Sequence, residues 1–208
     1  LMKPLYYGHF AVAAFIVISG YCLQLSLYRR ADGRIDDLKL FLERRCWRIL
    51  PPYYACLAFS LLVCWAVTSR QSGLPWSQYL PVTTENVMAH VFMVHNLSRE
   101  WMYKINGVLW SISIEFQLYF LFPALVTVLW RWGIGALVAV TSALAGAGLL
   151  FLFDGRKLYL WYLPLFALGM VAARLAFKPD QKRPSSVAAW VTILLFFGLG
   201  IASIGWTK

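Results

Sequence analysis

The chain has 208 residues, of which 61% are hydrophobic and only 13% are charged. A water-soluble domain has about 25% charged residues, so the composition excludes an ordinary soluble fold and favours a membrane protein. The net charge of +10 would suggest a nucleic-acid partner in a soluble protein. In so apolar a chain, basic residues retained in cytoplasmic loops explain the charge better, and we expect no nucleic-acid partner.

Six segments are long and apolar enough to cross a lipid bilayer as helices, because about 20 residues span a hydrocarbon core about 30 Å thick. We therefore predict an all-α fold, a polytopic transmembrane bundle of about six spanning helices. Residues 86–97 are too few to cross and are predicted to form a half-helix, either interfacial or re-entrant. The predicted spans are residues 9–28, 50–69, 108–130, 133–153, 158–177 and 187–206.

Small and polar side chains interrupt the first predicted span at FIVISGYCL, residues 15–23. Ser19 and Tyr21 bring hydroxyl groups into the apolar segment and are candidate catalytic residues. Ser19 and Gly20 are also small enough to let two helices approach closely, so helix packing is an equally good interpretation.

A cluster of arginines precedes the second predicted span, in DLKLFLERRCWR, residues 37–48. We predict an amphipathic helix here that leads into the membrane at Pro51-Pro52. Arg44, Arg45 and Arg48 are three or four residues apart, so a helix holds their guanidinium groups close together. Guanidinium binds phosphate through paired hydrogen bonds, which makes these arginines candidate ligand-binding residues. The alternative is that they anchor the helix to lipid headgroups.

The charges of the loops predict the orientation of the bundle in the membrane. Residues 29–48 form a short loop with seven basic side chains, and cytoplasmic loops are enriched in lysine and arginine. We therefore place residues 29–48 in the cytoplasm and residues 70–107 on the outer side. The seven basic residues are Arg29, Arg30, Arg34, Lys39, Arg44, Arg45 and Arg48.

Two histidines lie in the predicted half-helix, and neither points to a metal site. His90 and His95 are five residues apart, whereas two histidines that share a metal on one helix are usually four apart. His95 precedes the next span and can approach its carboxylate, so it is a candidate catalytic residue. The four cysteines, which lack metal-ligand spacing, are interpreted as packing residues.

One carboxylate, Glu115, interrupts the apolar stretch LWSISIEFQLYFLFPALVTVLW, residues 109–130. A charged group inside the bilayer costs several kcal/mol unless it is paired or faces water. Ser111, Glu115 and Tyr119 share one helix face, and Ser113 and Gln117 form a second polar line. We interpret Glu115 as functional, the alternative being a carboxylate that fixes helix packing through serine or arginine partners.

Taken together, these motifs resemble the membrane acyltransferase family called acyltransferase 3, in the family's order and over about 170 residues. FIVISGY is similar to its Phe-Phe-x-x-Ser-Gly-Phe/Tyr element, with Ile16 in place of the second phenylalanine. FLERRCWRILPPYY resembles its arginine-rich helix, which ends in prolines and aromatic residues. Trp110, Ser111 and Glu115 match its Trp-Ser-x-x-x-Glu element, and LWYLPLFALGMVAARL, residues 160–175, resembles its later Phe-x-x-Gly-Met segment.

The resemblance implies transfer of an acyl group, of acetyl or succinyl type, from cytoplasmic acyl-CoA to a hydroxyl of a glycan or lipid-linked sugar. It implies acyl-CoA as a donor substrate, no tightly bound cofactor, and a bacterial inner membrane location. Arg45 and Arg48, with Arg44, would bind the donor, and we expect much of the bilayer thickness to separate Arg45 from Glu115. The candidate catalytic set is Glu115, His95, Ser19, Tyr21, Trp110 and Ser111.

The family pattern also contains elements for which this sequence offers no match. Its first helix carries an arginine and, eleven residues later, a histidine thought to be catalytic, and His9 does not match that histidine. We therefore expect residues 1–208 to be one acyltransferase-like domain that is incomplete at both ends. Two alternatives stay open: a transporter or flippase-like protein with Glu115 as its proton or substrate site, and a non-catalytic membrane scaffold.

Overall fold

The computed structural model describes residues 8–30, 33–67, 78–151 and 159–177. Within these ranges all regular secondary structure is helical, which confirms the all-α prediction. The predicted span 187–206 lies outside the described residues. The helices are α1 (Gly8–Arg30), α2 (Leu38–Val67), α3 (Thr84–Val91), a 3₁₀ turn (His95–Leu97), α4 (Arg99–Met102), α5 (Leu109–Phe151) and α6 (Tyr162–Ala176).

Three of the described helices are long and apolar enough to cross a membrane: Phe10–Arg30, Leu38–Ala66 and Leu109–Gly148. Helix α6 is also apolar but has only 15 residues. The predicted half-helix is present as α3, and its eight residues are too few to cross. The described part of the chain thus has the architecture of a membrane helix bundle.

Helix α2 differs from the predicted arrangement at its prolines. The arginine-rich segment and the span after it form one helix of 30 residues, with Pro51 and Pro52 inside it. A proline has no backbone N–H, so the carbonyl groups of Trp47 and Arg48 lose their usual partners in the helix. The predicted boundary between the amphipathic helix 37–48 and the span 50–69 was therefore wrong, since one helix contains both.

Helix α5 contains a break at the position where two spans were predicted to meet. Gly133 has a φ of 82° and a ψ of −174°, which is not helical. A positive φ of this size is accessible to glycine because it has no Cβ. The boundary predicted between the segments 108–130 and 133–153 is therefore present as a break in the helix at Gly133.

The chain divides into two compact units, which we describe separately. Among the described residues, the central unit contains those within 37–121 and 148–159, and so includes α2, α3, α4 and the beginning of α5. The terminal unit contains the described residues within 1–36, 122–147 and 160–208, with α1, a later part of α5, and α6.

Close packing of α1 against α6 organises the terminal unit. A methyl group built on Gly20 would lie 2.2 Å from the carbonyl oxygen of Phe166, and one on Gly169 would lie 2.0 Å from that of Val17. Only glycine permits backbones to approach this closely. The packing interpretation of the Ser19-Gly20 pair therefore accounts for Gly20.

In the central unit, α2 runs antiparallel to the chain that leads into α5. Near the end of α2, Ser60 accepts a hydrogen bond of 2.9 Å from the side-chain amide of Asn106. Fifteen residues earlier, Arg45 lies beside Tyr119, with 5.8 Å between the guanidinium carbon and the ring centre. This arrangement brings the arginine-rich part of α2 alongside the helix that carries Glu115.

Candidate active site

Glu115 lies on the buried side of α5 within the central unit. Only 8% of its surface is exposed, and Tyr119, one turn later, is 3% exposed. The Tyr119 hydroxyl donates a hydrogen bond to Oε1 of Glu115. The two residues were predicted to share a helix face, and the structure shows them in direct contact. The buried carboxylate therefore has a hydrogen-bond donor within an apolar helix.

Arg45 approaches the same pair from α2. Its guanidinium carbon lies 5.8 Å from the centre of the Tyr119 ring and 5.5 Å from that of Phe41. The side chain is half-buried, and its Nε atom is fully buried. Arg45 continues the buried face of α2 formed at intervals of four residues by Ile49 and Tyr53.

The expected separation of Arg45 and Glu115 by much of the bilayer was wrong. Both residues contact Tyr119, Arg45 at the ring and Glu115 at the hydroxyl. The expectation placed Arg45 in a cytoplasmic helix that precedes the span 50–69, and Glu115 within the span 108–130. Because α2 begins at Leu38 and continues through the prolines, Arg45 lies in the same helix as the span that follows it.

The other two arginines of the cluster differ from Arg45 in their surroundings. Arg44 and Arg48 are both exposed, while Arg45 is half-buried. The three guanidinium groups therefore do not form one uniform site. Arg44 and Arg48 are open to a ligand or a lipid headgroup, and Arg45 faces the interior of the central unit.

His95 lies at the second polar line of α5. Both of its ring nitrogens are 3.4 Å from the Ser113 hydroxyl oxygen. Ser113 and Glu115 project from nearly opposite sides of a helix, since successive residues are about 100° apart. The approach of His95 to Glu115 that the sequence suggested is therefore not the arrangement found.

His90 and His95 form a stacked pair that the sequence did not predict. Their ring centres are 3.8 Å apart, with 7° between the ring planes. The expectation placed both residues on one continuous half-helix, on diverging faces. Instead α3 ends at Val91, and Met93 adopts a positive φ of 55° that turns the chain back. Met93 is neither glycine nor asparagine, so nothing in the sequence signals this turn.

Burial lowers the pKa of both imidazole rings. It lowers the pKa of His95 to about 3, with a further contribution from the neighbouring His90. Burial also lowers the pKa of His90, although backbone groups of Asn86 and Lys104 partly oppose this. The Nδ1 atom of His90 lies 2.7 Å from the Asn86 carbonyl oxygen, and Tyr53 donates a hydrogen bond of 2.7 Å to the His90 carbonyl.

Amide side chains complete the second polar line. The side chains of Asn96 and Gln117 exchange hydrogen bonds of 3.1 and 2.8 Å. Gln117 also donates to the Met93 carbonyl at 3.0 Å. These bonds fasten the segment after α3 to α5, so this polar line has a structural role in holding the loop.

The remaining candidates at the start of α5 have separate contacts. The hydroxyl of Ser111 donates to the carbonyl of Val108 at 3.1 Å, within its own helix turn. Trp110 is buried, and its ring centre lies 5.0 Å from that of Tyr159. Of the residues predicted to share a face with Glu115, Tyr119 therefore bonds to it. The Ser111 hydroxyl instead bonds to the backbone at the first turn of the helix.

Ser19 and Tyr21 belong to the terminal unit. Ser19 is 8% exposed and Tyr21 is partly exposed. Both flank Gly20, whose backbone contacts α6 at Phe166. No three His, Cys, Asp or Glu side chains are grouped for a metal ion in the ranges that the structure describes.

Comparison with known proteins identifies relatives of the chain. It is 28% identical to proteins named "Putative O-acetyltransferase" from Staphylococcus aureus strains COL, MSSA476 and MRSA252. The match covers 91% of this chain and 36% of each relative, so the chain spans about a third of their length. No solved structure matches the chain significantly. The acyltransferase domain of the acyltransferase 3 family matches residues 2–207, and the chain therefore belongs to that family.

Proposed function

We propose that the intact protein is a membrane O-acyltransferase that moves an acetyl or succinyl group from acyl-CoA to a hydroxyl of a glycan or lipid-linked sugar. Membership of the acyltransferase family and the names of the relatives support the reaction class. The observation that carries the proposal for this chain is the buried Glu115 carboxylate, hydrogen-bonded by Tyr119 on an apolar helix.

The proposed reaction replaces a thioester with an oxygen ester. The acceptor hydroxyl loses its proton to a base, and its oxygen forms a bond to the thioester carbonyl carbon. The carbon–sulfur bond then breaks, and CoA leaves as a thiolate that takes up a proton. A base positioned at the acceptor hydroxyl accelerates such a step about 10²–10⁴-fold.

We assign Glu115 to the acceptor side of this reaction. An ionised carboxylate only accepts hydrogen bonds, so it can hold an acceptor hydroxyl or orient a basic imidazole. His95, the candidate imidazole of this chain, lies at Ser113 on another side of α5. We therefore propose that Glu115 itself acts on the acceptor hydroxyl. His95 belongs to the loop that packs against the same helix.

We assign Arg48 and Arg44 to the donor. Both are exposed on α2, and their planar guanidinium groups suit the phosphates of CoA. Arg45, which contacts Tyr119, lies between them in the sequence. Phosphates bound by Arg44 and Arg48 would therefore lie within about one helix turn of Arg45. With residues 29–48 in the cytoplasm, as the loop charges predict, donor phosphates would bind from that side of the inner membrane.

Replacement of Glu115 by Gln tests the proposal, because Gln keeps the shape of the side chain but removes the charge. The full-length protein in membranes is supplied with radiolabelled acetyl-CoA or succinyl-CoA, and label in the glycan fraction is measured. We expect a loss of about 10²-fold or more in transfer, with normal protein levels. Glu85→Gln makes the same chemical change at an exposed position and should leave transfer unchanged.

Two results would contradict the assignment of Glu115. Transfer at the wild-type rate in Glu115→Gln would exclude a catalytic role for the carboxylate. A loss of inserted protein in this variant, with Glu85→Gln unaffected, would assign Glu115 to packing.

The donor assignment is tested by Arg48→Lys, which keeps the positive charge but loses the paired hydrogen bonds. We expect the KM for acyl-CoA to rise about tenfold, with little change in kcat, because one charge-assisted hydrogen bond contributes about 1.5–3 kcal/mol. Arg99→Lys, at another exposed position, is the matched control. An unchanged KM for the donor would leave headgroup anchoring as the role of Arg48.

A further inference from the structure

We infer that Tyr119 is a positioning residue that holds Glu115 with its hydroxyl and Arg45 with its ring. The inference rests on the proposed function of Glu115, and it adds a residue to which the sequence motifs gave no role of its own. One side chain would then connect the candidate carboxylate to the arginine-rich helix.

The hydroxyl contact fixes the orientation of the carboxylate. Glu115 has three rotatable side-chain bonds, whereas Tyr119 has two and is 3% exposed. The Tyr119 hydroxyl donates to the carboxylate oxygen Oε1. A buried tyrosine one turn away therefore holds the glutamate in one rotamer through that oxygen.

The ring contact fixes the arginine. A separation of 5.8 Å between the guanidinium carbon of Arg45 and the ring centre lies within the range of cation–π attraction. Arg45 is half-buried, and the attraction is stronger where charges are partly removed from water. Because Arg44 and Arg48 are its close neighbours on α2, the ring also fixes the helix turn assigned to the donor.

The competing interpretation is that Tyr119 is a core residue whose ring fills space. Such a role requires the ring but not the hydroxyl, so it predicts that phenylalanine is an adequate replacement. It also predicts that the effect of losing the hydroxyl is independent of the residue at position 115. A positioning role predicts that phenylalanine is not an adequate replacement. It also predicts that the effect of losing the hydroxyl depends on the residue at position 115.

A double-mutant cycle in the full-length membrane protein separates the two interpretations. The variants are Tyr119→Phe, Glu115→Gln and the double substitution, assayed with radiolabelled acetyl-CoA or succinyl-CoA. We expect Tyr119→Phe to lower kcat about tenfold with an unchanged KM for the donor. In the Glu115→Gln background the same change should cost less than about twofold, since the hydroxyl acts through the carboxylate.

Two further variants complete the test. Tyr119→Leu removes the ring as well as the hydroxyl, so it should also raise the donor KM several-fold. Tyr54→Phe is the control: the Tyr54 hydroxyl donates to the Val91 carbonyl at 2.8 Å in the same unit, and its loss should leave kcat unchanged. If transfer by Glu115→Gln falls below detection, Glu115→Asp supplies the second background of the cycle.

The outcomes are distinct. Wild-type kcat in Tyr119→Phe, an equal loss in both backgrounds, or a loss of folded protein in Tyr119→Phe would overturn the inference and leave the function of Glu115 standing. Wild-type transfer by Glu115→Gln would instead overturn the proposed function, and the inference with it.

Discussion

Replacement of Gly20 by Ala tests the packing of α1 against α6 most directly. The added methyl would lie 2.2 Å from the Phe166 carbonyl oxygen, and ordinary contact begins at 3.4 Å. The two backbones must therefore separate by about 1.2 Å, and no flexible side chain is available to move instead. Gly169→Ala makes the reciprocal clash, 2.0 Å from the Val17 carbonyl oxygen.

We estimate the net cost of each substitution at about 2 kcal/mol. Overpacking costs about 1–3 kcal/mol, and contact with backbone atoms favours the upper part of that range. Alanine returns up to about 1 kcal/mol through its better helix propensity. For a chain of 208 residues the estimate corresponds to a decrease in Tm of about 4–8 °C, and the decrease becomes smaller as the protein becomes longer.

The assay is thermal unfolding of the full-length protein in detergent, followed by size-exclusion chromatography of the folded fraction. Gly146→Ala is the matched control, because a methyl group there meets nothing within 4 Å. We expect no loss of stability in this variant. The double substitution of Gly20 and Gly169 should cost less than the sum of the two, since both set the distance between the same helices. Equal Tm values for Gly20→Ala and Gly146→Ala would refute the argument.

Two further predictions concern pH and orientation. The pKa of His95 is about 3 in the folded protein and 6.5 as a free side chain, so the unfolded chain binds the additional proton below pH 6.5. The contribution of His95 to stability should therefore be constant above about pH 7 and fall by about 1.5 kcal/mol between pH 6.5 and 5, and His95→Gln should remove this part of the pH dependence in thermal unfolding. Separately, a cysteine introduced at Arg34 in a cysteine-free background should resist an impermeant thiol reagent in sealed cells, and labelling from outside would reverse the assigned orientation.

The features that could be predicted from the sequence are those set within one helix. The apolar lengths predicted spans that overlap α1, the second half of α2 and the two parts of α5. A spacing of four residues predicted that Glu115 and Tyr119 share a face, and the structure joins them by a hydrogen bond. The small residues at Ser19-Gly20 predicted close packing, and Gly20 contacts the backbone of α6.

The features that escaped prediction depend on how separate segments meet. The His90–His95 stack requires a turn at Met93, a residue type that rarely adopts a positive φ. The proximity of Arg45 to Tyr119 depends on α2 continuing through Pro51 and Pro52, where proline ordinarily indicates a boundary. At Met93 and at the two prolines, the local preference of the residue favoured a different backbone conformation from the one observed. Packing within the central unit determined the observed conformation.

The contacts of Glu115 also explain how a carboxylate is tolerated in an apolar helix. Insertion of an acidic residue at the centre of a spanning helix costs about 2.5–3.5 kcal/mol. A hydrogen bond to a charged group returns about 1.5–3 kcal/mol, so the bond from Tyr119 offsets much of that cost.

A residue that served packing alone would impose no such cost if it were apolar, and leucine of similar size is common throughout α5. The arginine-rich element and the Trp-Ser-x-x-x-Glu element of the family pattern meet in this structure at Tyr119. The Glu115 carboxylate therefore lies where these two elements meet, and the Tyr119 hydroxyl that bonds it belongs to the same meeting point.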